Sequence, residues 1–120
     1  NLEIAKMLLE DEKMVVTTAE NGKEAVDIVS QSVPGRFDFI FMDIMMPVMD
    51  GLEAAKQIRK LNRVDTKEIP IIAMTANAFQ DDIRECIAAG MNAHIAKPID
   101  IETILTVLNQ VFGTSENPHR

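Results

Sequence analysis

Three observations predict an α/β domain built on a doubly wound parallel sheet. Short apolar runs alternate with stretches of helical periodicity along the chain. The run Phe39-Ile40-Phe41-Met42 is apolar without alternation, as a strand is when helices cover both faces of its sheet. That run stops on Asp43, and two later runs stop on Thr75 and Lys97, so three polar residues mark three strand ends.

The elements follow in order. Asn1 to Glu10 places Ile4, Ala5, Leu8 and Leu9 at helical spacing, with Glu3, Lys6 and Glu10 for the wet side. Met14 to Thr18 is short and β-branched and reads as a strand. Asn21, with Glu24 three residues on, caps a helix that carries Ala25, Ile28 and Val29 inward, and Pro34-Gly35 closes the unit. After the Phe39 strand, Asp50 and Glu53 repeat the cap, and Leu52, Ala55, Ile58 and Leu61 form a buried stripe. Asn62 to Glu68 is polar and reads as a loop. Ile69 to Thr75 is the next strand, with Pro70 tolerated near its beginning. A helix from Gln80 to Ala89 turns Ile83, Cys86 and Ile87 inward and stops at Gly90. Ala93 to Ala96 is a last short strand, and Asp100 caps a helix carrying Ile101, Ile104, Leu105 and Leu108. One domain over 1–113 and a polar tail over 114–120 account for the chain.

Composition narrows the function. The 120 residues, 47% hydrophobic and 26% charged, suit a single core. A net charge of −7 argues against nucleic acid and against contact with an anionic membrane. Cys86 is the only cysteine, which excludes an internal disulfide and suits a core position on a helix. No apolar run is long enough to span a bilayer, and no basic, apolar leader opens the chain, so a cytoplasmic location is expected. The methionines at 42, 45, 46, 49 and 74 lie on or beside buried strands and read as core filler. Lys56, Arg59 and Lys60 read as a solvated basic face, and Asp81 and Asp82 suit the positive end of a helix.

Parallel strands put Asp43, Thr75 and Lys97 on one rim, the carboxyl edge where α/β sheets bind ligands. An acid, a hydroxyl and an ammonium there have a definite use. A carboxylate can attack a phosphoryl group and form an acyl phosphate, while fixed positive charge and a hydroxyl donor stabilise the charge on the equatorial oxygens.

The motifs MDIMMPVMDG, PIIAMTANAF and AAGMNAHIAKPID, in that order, resemble the receiver domain of two-component response regulators. Their wording is most similar to receivers attached to hybrid sensor histidine kinases, and the resemblance runs from about Asn1 to Phe112. It implies a flavodoxin-like, CheY-like fold. Asp43 matches the phosphoacceptor, Thr75 the switch hydroxyl, and Lys97 the lysine that contacts the phosphoryl group. The backbone carbonyl of Met45 matches a magnesium ligand, and Pro47 and Gly51 match the turn after the acceptor. Lys97-Pro98 matches a bond that is cis in the family and aims Lys97 at the pocket. The implied partner is a histidine kinase or a histidine phosphotransfer protein, and the implied chemistry is a signalling switch that catalyses its own phosphorylation.

Two departures stand out. The family begins on a strand followed by a pair of acidic residues that hold Mg2+ with the acceptor, whereas this chain opens on a helix and contains neither. Magnesium needs near-octahedral oxygen ligation, so binding by this chain is doubtful. The strand would lie between those at Met14 and Phe39, and without it two ladders lack partners, so instability or a strand-swapped or dimeric assembly is expected. The second departure is His94, where the family has Tyr or Phe. It reads either as a partly exposed strand residue on a partner surface or as a pH-responsive group. Two alternatives to the phosphorylated receiver remain open: a pseudo-receiver that is never phosphorylated, and an Asp-nucleophile phosphatase, which expects an Asp where this chain has Met45.

Overall fold

A computed structural model of the chain describes residues 2–44, 48–61, 63–75, 80–97 and 99–113. The elements are α1 (Leu2–Asp11), α2 (Gly22–Gln31), β1 (Ile40–Asp43), α3 (Gly51–Lys60), α4 (Val64–Glu68), β2 (Ile71–Thr75), α5 (Gln80–Ala88), β3 (Ala93–Ala96) and α6 (Ile101–Gly113). The tail at 114–120 lies outside the described residues.

The sheet is parallel in the order β1-β2-β3, with Asp43 opposite Met74 and Thr75 opposite Ala96. All five residues of β2 are buried, and their side chains alternate between two cores. Ile71 and Ala73 face a cluster with Val29 of α2, Ala54, Ala55 and Ile58 of α3, and Cys86 of α5. Ile72 faces the other way, into a cluster with Leu9 of α1 and Ile104, Val107 and Leu108 of α6. Helices therefore cover both faces, which is why the strands read as unbroken apolar runs.

The three caps form as their spacing predicts. Asn21 accepts from the amide of Glu24 at 2.8 Å, Asp50 from Glu53 at 2.9 Å, and Asp100 from Thr103 at 2.8 Å. The Thr103 amide is the main reason the Asp100 carboxyl sits below its usual range. Helical stripes hold less completely. Ala5 and Leu9 are buried as expected, but Ile4 is 52% exposed; Cys86 is buried, but Ile87 is 64% exposed. Periodicity marks the apolar side of a helix, whereas the width of the stripe that is covered depends on its neighbours.

Two expectations about secondary structure are corrected. Residues 64–68 form the short helix α4, not a loop, because Thr66 is buried under it and Arg63 and Asp65 pair at 2.8 Å across its first turn. Met14 to Thr18 enters no ladder. The segment runs in the same direction as β1, since Met14 leaves the end of α1 by donating to Leu9 O, and Gly22 beyond it donates to Met49 O, past the end of β1. Between it and β1 lies a cleft of about 600 Å³ lined by Leu9, Met14, Val16, Val29, Phe41 and Met42. Strand propensity needs a hydrogen-bonding neighbour to become a strand, and across this cleft the segment has none among the described residues.

Arg63 ties the far end of the domain together. Its guanidinium donates to Val29 O, at the end of α2, at 2.9 Å and to Ser32 O at 3.0 Å, and it pairs with Asp65. The Arg63 hydrogen bond, followed by the backbone amide of Gly35, lowers the Asp65 carboxyl from its ordinary 3.8 to about 2. A carboxyl whose folded value is depressed stabilises the fold above its unfolded value, and that contribution is lost as pH falls through the folded one. Stability should therefore decline between about pH 4 and about pH 2, and Asp65→Asn should flatten that part of a pH series of urea melts.

Candidate phosphoryl-transfer site

The end of each strand delivers one side chain to a common rim. Asp43 is the last residue of β1, Thr75 the last of β2, and Lys97 follows β3. Lys97 Nζ lies 2.9 Å from Asp43 Oδ2, and the Lys97 amide donates to Thr75 O at 2.7 Å. The Asp43 and Lys97 side chains meet, and Thr75 is joined to Lys97 through its backbone carbonyl.

Energetics separate this cluster from ordinary packing. The Lys97 and Asp43 side chains are 22% and 24% exposed, so they pair largely out of water. The Thr75 hydroxyl is buried with no hydrogen-bond partner among the described residues. A buried hydroxyl left so costs about 1–3 kcal/mol. Its unspent donor points to an acceptor arriving from outside.

The turn beyond β1 is tightly built. Ile44 donates to Met74 O, and Gly51 donates back to Ile44 O at 3.0 Å. A Cβ on Gly51 would collide with the Asp43 carbonyl, so glycine here is a matter of space. Val48 has φ of 67°, the left-handed region that a β-branched residue resists. His94 is half-buried on β3 opposite Ala73, with its strand contacted by both α5 and α6. Met45, Pro47 and Pro98 lie outside the described residues, as does the expected metal-ligating carbonyl of Met45.

Among the described residues the donor set at the rim is a poor match for a magnesium ion. Among the described residues no three acidic, His or Cys side chains come together, and the Asp43 carboxylate is already engaged by Lys97. By themselves these residues do not fit the ion, which demands more oxygen ligands than they offer.

With this geometry in view, the comparisons with known proteins decide the family. The profile of the response regulator receiver domain matches residues 1–109. This chain is a receiver domain. It is 35% identical over 134 residues to probable histidine kinase 6 of Oryza sativa subsp. japonica, covering 98% of the chain and 14% of that relative. It is 46% identical over 96 residues to two-component system protein A of Emericella nidulans, covering 80% of the chain and 13% of that relative. It is 39% identical over 114 residues to hybrid signal transduction histidine kinase B of Dictyostelium discoideum, covering 88% and 6%. The receiver thus spans 6% to 14% of the length of these relatives.

Solved structures agree on the fold. The receiver domain of sensor histidine kinase PA1611 from Pseudomonas aeruginosa PAO1, with a magnesium ion coordinated in its active site cleft, superposes with a TM-score of 0.80. Its identity is 34%, over 93% of this chain and 88% of that one. Chemotaxis protein CheY4 of Vibrio cholerae gives a TM-score of 0.82 at 32% identity, over 92% and 88%. The flavodoxin-like, CheY-like architecture expected from the motifs is the observed one.

Arg59 departs from its sequence reading. Grouped there with Lys56 and Lys60 as a solvated face, it is half-buried and turned inward. Its guanidinium donates to Gly90 O, Thr66 O and Asn92 Oδ1, and burial lowers its pKa. Its place two turns beyond Gly51 on α3, next to the fully buried Ile58, is the sequence signal that could have found it.

Replacing Val48 tests the backbone of the site. Val48→Asn or Val48→Gly should raise stability by about 1 kcal/mol in chemical denaturation, by relieving a left-handed β-branched residue that is 79% exposed.

Proposed function

We propose that this receiver accepts a phosphoryl group on Asp43 from a phosphohistidine of a partner protein and passes the change to an interaction surface. The observation that carries the reading is the 2.9 Å approach of Lys97 Nζ to Asp43 Oδ2 beside a buried Thr75 hydroxyl with no acceptor of its own among the described residues. A carboxylate oxygen of Asp43 attacks phosphorus, the phosphorus–nitrogen bond of the phosphohistidine breaks, and the departing imidazole keeps the electron pair and takes up a proton. Lys97 shifts from the carboxylate to a phosphoryl oxygen, holding fixed positive charge where negative charge accumulates. Thr75 supplies the hydroxyl donor. Turning it toward the phosphoryl group alters packing near His94 on β3 and biases the face formed by α5, β3 and α6 between two populated arrangements.

The relatives named above are histidine kinases and two-component proteins, which supports a histidine kinase dimerisation domain or a helical phosphotransfer protein as the donor. The neighbour with magnesium in its cleft raises the ion as a cofactor, for which the Asp43 carboxylate would be one oxygen ligand.

Incubation with a small phosphoryl donor, run with and without magnesium and read by intact-mass spectrometry, tests the reading. One acid-stable, base-labile adduct per chain is expected, absent in Asp43→Asn, with the rate in Lys97→Ala reduced roughly 100-fold. No adduct in either condition would favour the pseudo-receiver, and rapid turnover of the donor without a lasting adduct would favour an Asp-nucleophile phosphatase.

The edge of β1, unpaired among the described residues, and the apolar cleft beside it also support self-association by strand pairing. Light scattering across a dilution series should show dimers or larger species that dissociate as concentration falls. A monomer at every concentration, unfolding cooperatively, overturns this part of the proposal.

A further inference from the structure

Asp43 and Lys97 are 54 residues apart in sequence, and the distance between them is set by a closed ring of contacts. One side of that ring is α3. Its first residue, Gly51, lies against the Asp43 carbonyl and donates to Ile44 O. Its body is pressed flat on the sheet by Ala54, Ala55 and Ile58, all 0% exposed. Its last turn carries Arg59, about 12 Å further along the helix axis.

There Arg59 holds the start of β3. Nε and Nη2 both donate to Gly90 O, at 2.9 and 2.7 Å, and Nη2 also donates to Asn92 Oδ1 at 2.8 Å. Asn92 Oδ1 accepts from the amide of Ile71 at 2.9 Å as well, and the Asn92 amide donates to Ile71 O at 2.8 Å. One guanidinium thus fixes the entry to β3 against the first residue of β2. Gly90, at φ 101°, leaves the space: a Cβ there would come within 2.8 Å of Arg59 Cγ. No carboxylate partners Arg59 among the described residues, so its hydrogen bonds go to neutral oxygens whose positions they define. From Asn92 the strand runs about 16 Å to Lys97, whose amide closes on Thr75 O and whose ammonium returns to Asp43.

We infer that Arg59 is a positioning residue for Lys97, with α3 acting as a spacer that fixes how far the ammonium can reach along the rim toward Asp43. Arg59 touches none of the reacting atoms. It acts at the opposite end of the sheet, through the register of β3 on β2. A strand released there can shift or fray along its length, and Lys97, at its end, moves with it. This deepens the phosphoacceptor reading and rests on it for its purpose, though the ring of contacts does not.

Arg63 supplies the control. It makes a comparable set of hydrogen bonds, but to the end of α2 and to Asp65, with none to β3 among the described residues. Arg59→Ala and Arg63→Ala should both lower stability, and only the first should loosen Lys97. The measurement is acetylation of each lysine by a limiting N-hydroxysuccinimide ester, read residue by residue by mass spectrometry, with exposed Lys23 and Lys56 as internal references, alongside amide exchange at Lys97. Arg59→Ala should raise Lys97 labelling about fivefold or more and speed its amide exchange, Arg63→Ala should stay within about twofold, and Arg59→Lys should fall between. Equal changes in the two alanine variants, or none in Arg59→Ala, overturn the inference. If Arg59→Ala loses its helical circular dichroism, Arg59→Lys decides: labelling above that of Arg63→Ala supports the inference and labelling at or below it does not. A missing phosphoryl adduct on Asp43 would end the phosphoacceptor reading while leaving this labelling pattern intact.

Discussion

The ladder of β2 is the constraint on which the rest depends. It is buried along its whole length and pairs with β1 on one side and β3 on the other, so its register with each decides which of their residues come to the rim. With Asp43 opposite Met74 and Ala96 opposite Thr75, Asp43, Thr75 and Lys97 fall one residue apart in turn along the strand direction, spanning two residues in all. A slip of one residue would turn every side chain of the slipped strand to the other face. The two cores forbid it, because Ile72 and Ala73, adjacent on β2, face packings of very different composition.

Around that ladder the molecule accepts local costs where chemistry is expected. The Thr75 hydroxyl is buried without a partner among the described residues, and Val48 sits in a left-handed conformation just beyond β1. They persist because rigid surroundings over-determine them: Gly51 closed against Asp43, the capped start of α3, and the β2–β3 ladder running under Lys97. Strain and unspent hydrogen-bonding capacity collect at the carboxyl rim, while the opposite end is fastened by two arginines whose bonds go mainly to backbone oxygens and one carboxylate.

The receiver is also asymmetric across its sheet. On the β3 side α5 and α6 contact the strand, and α6 also reaches across to β1, where its Phe112 meets Phe39 and Phe39 meets Phe41 edge to face with ring centroids 6.0 and 5.3 Å apart. On the β1 side a cleft separates the edge strand from Met14 to Thr18, with Val15 89% exposed. The site lies where these two halves meet. One wall of it is fixed by a closed ring of contacts through α3 and β3, and the other opens on a strand edge that pairs with nothing among the described residues.

The chain's own order of residues was enough to identify every helix but α4, three of them with their caps, the three strands that lead to Asp43, Thr75 and Lys97, and the family. Those signals are local: a cap bonds three residues ahead, and an apolar run stopped by a polar residue is visible wherever it pairs. What depends on distant partners could not be read that way. Met14 to Thr18 has the composition of a strand but no ladder to join, and 64–68 is a helix because of what Thr66 and Arg63 meet. Arg59 belongs by composition to a wet basic face and is drawn inward by a carbonyl 31 residues away. The approach of Lys97 to Asp43 is of the same kind, since residue types can suggest that an ammonium and a carboxylate share a rim, but only packing of the helices on the sheet fixes the distance between them.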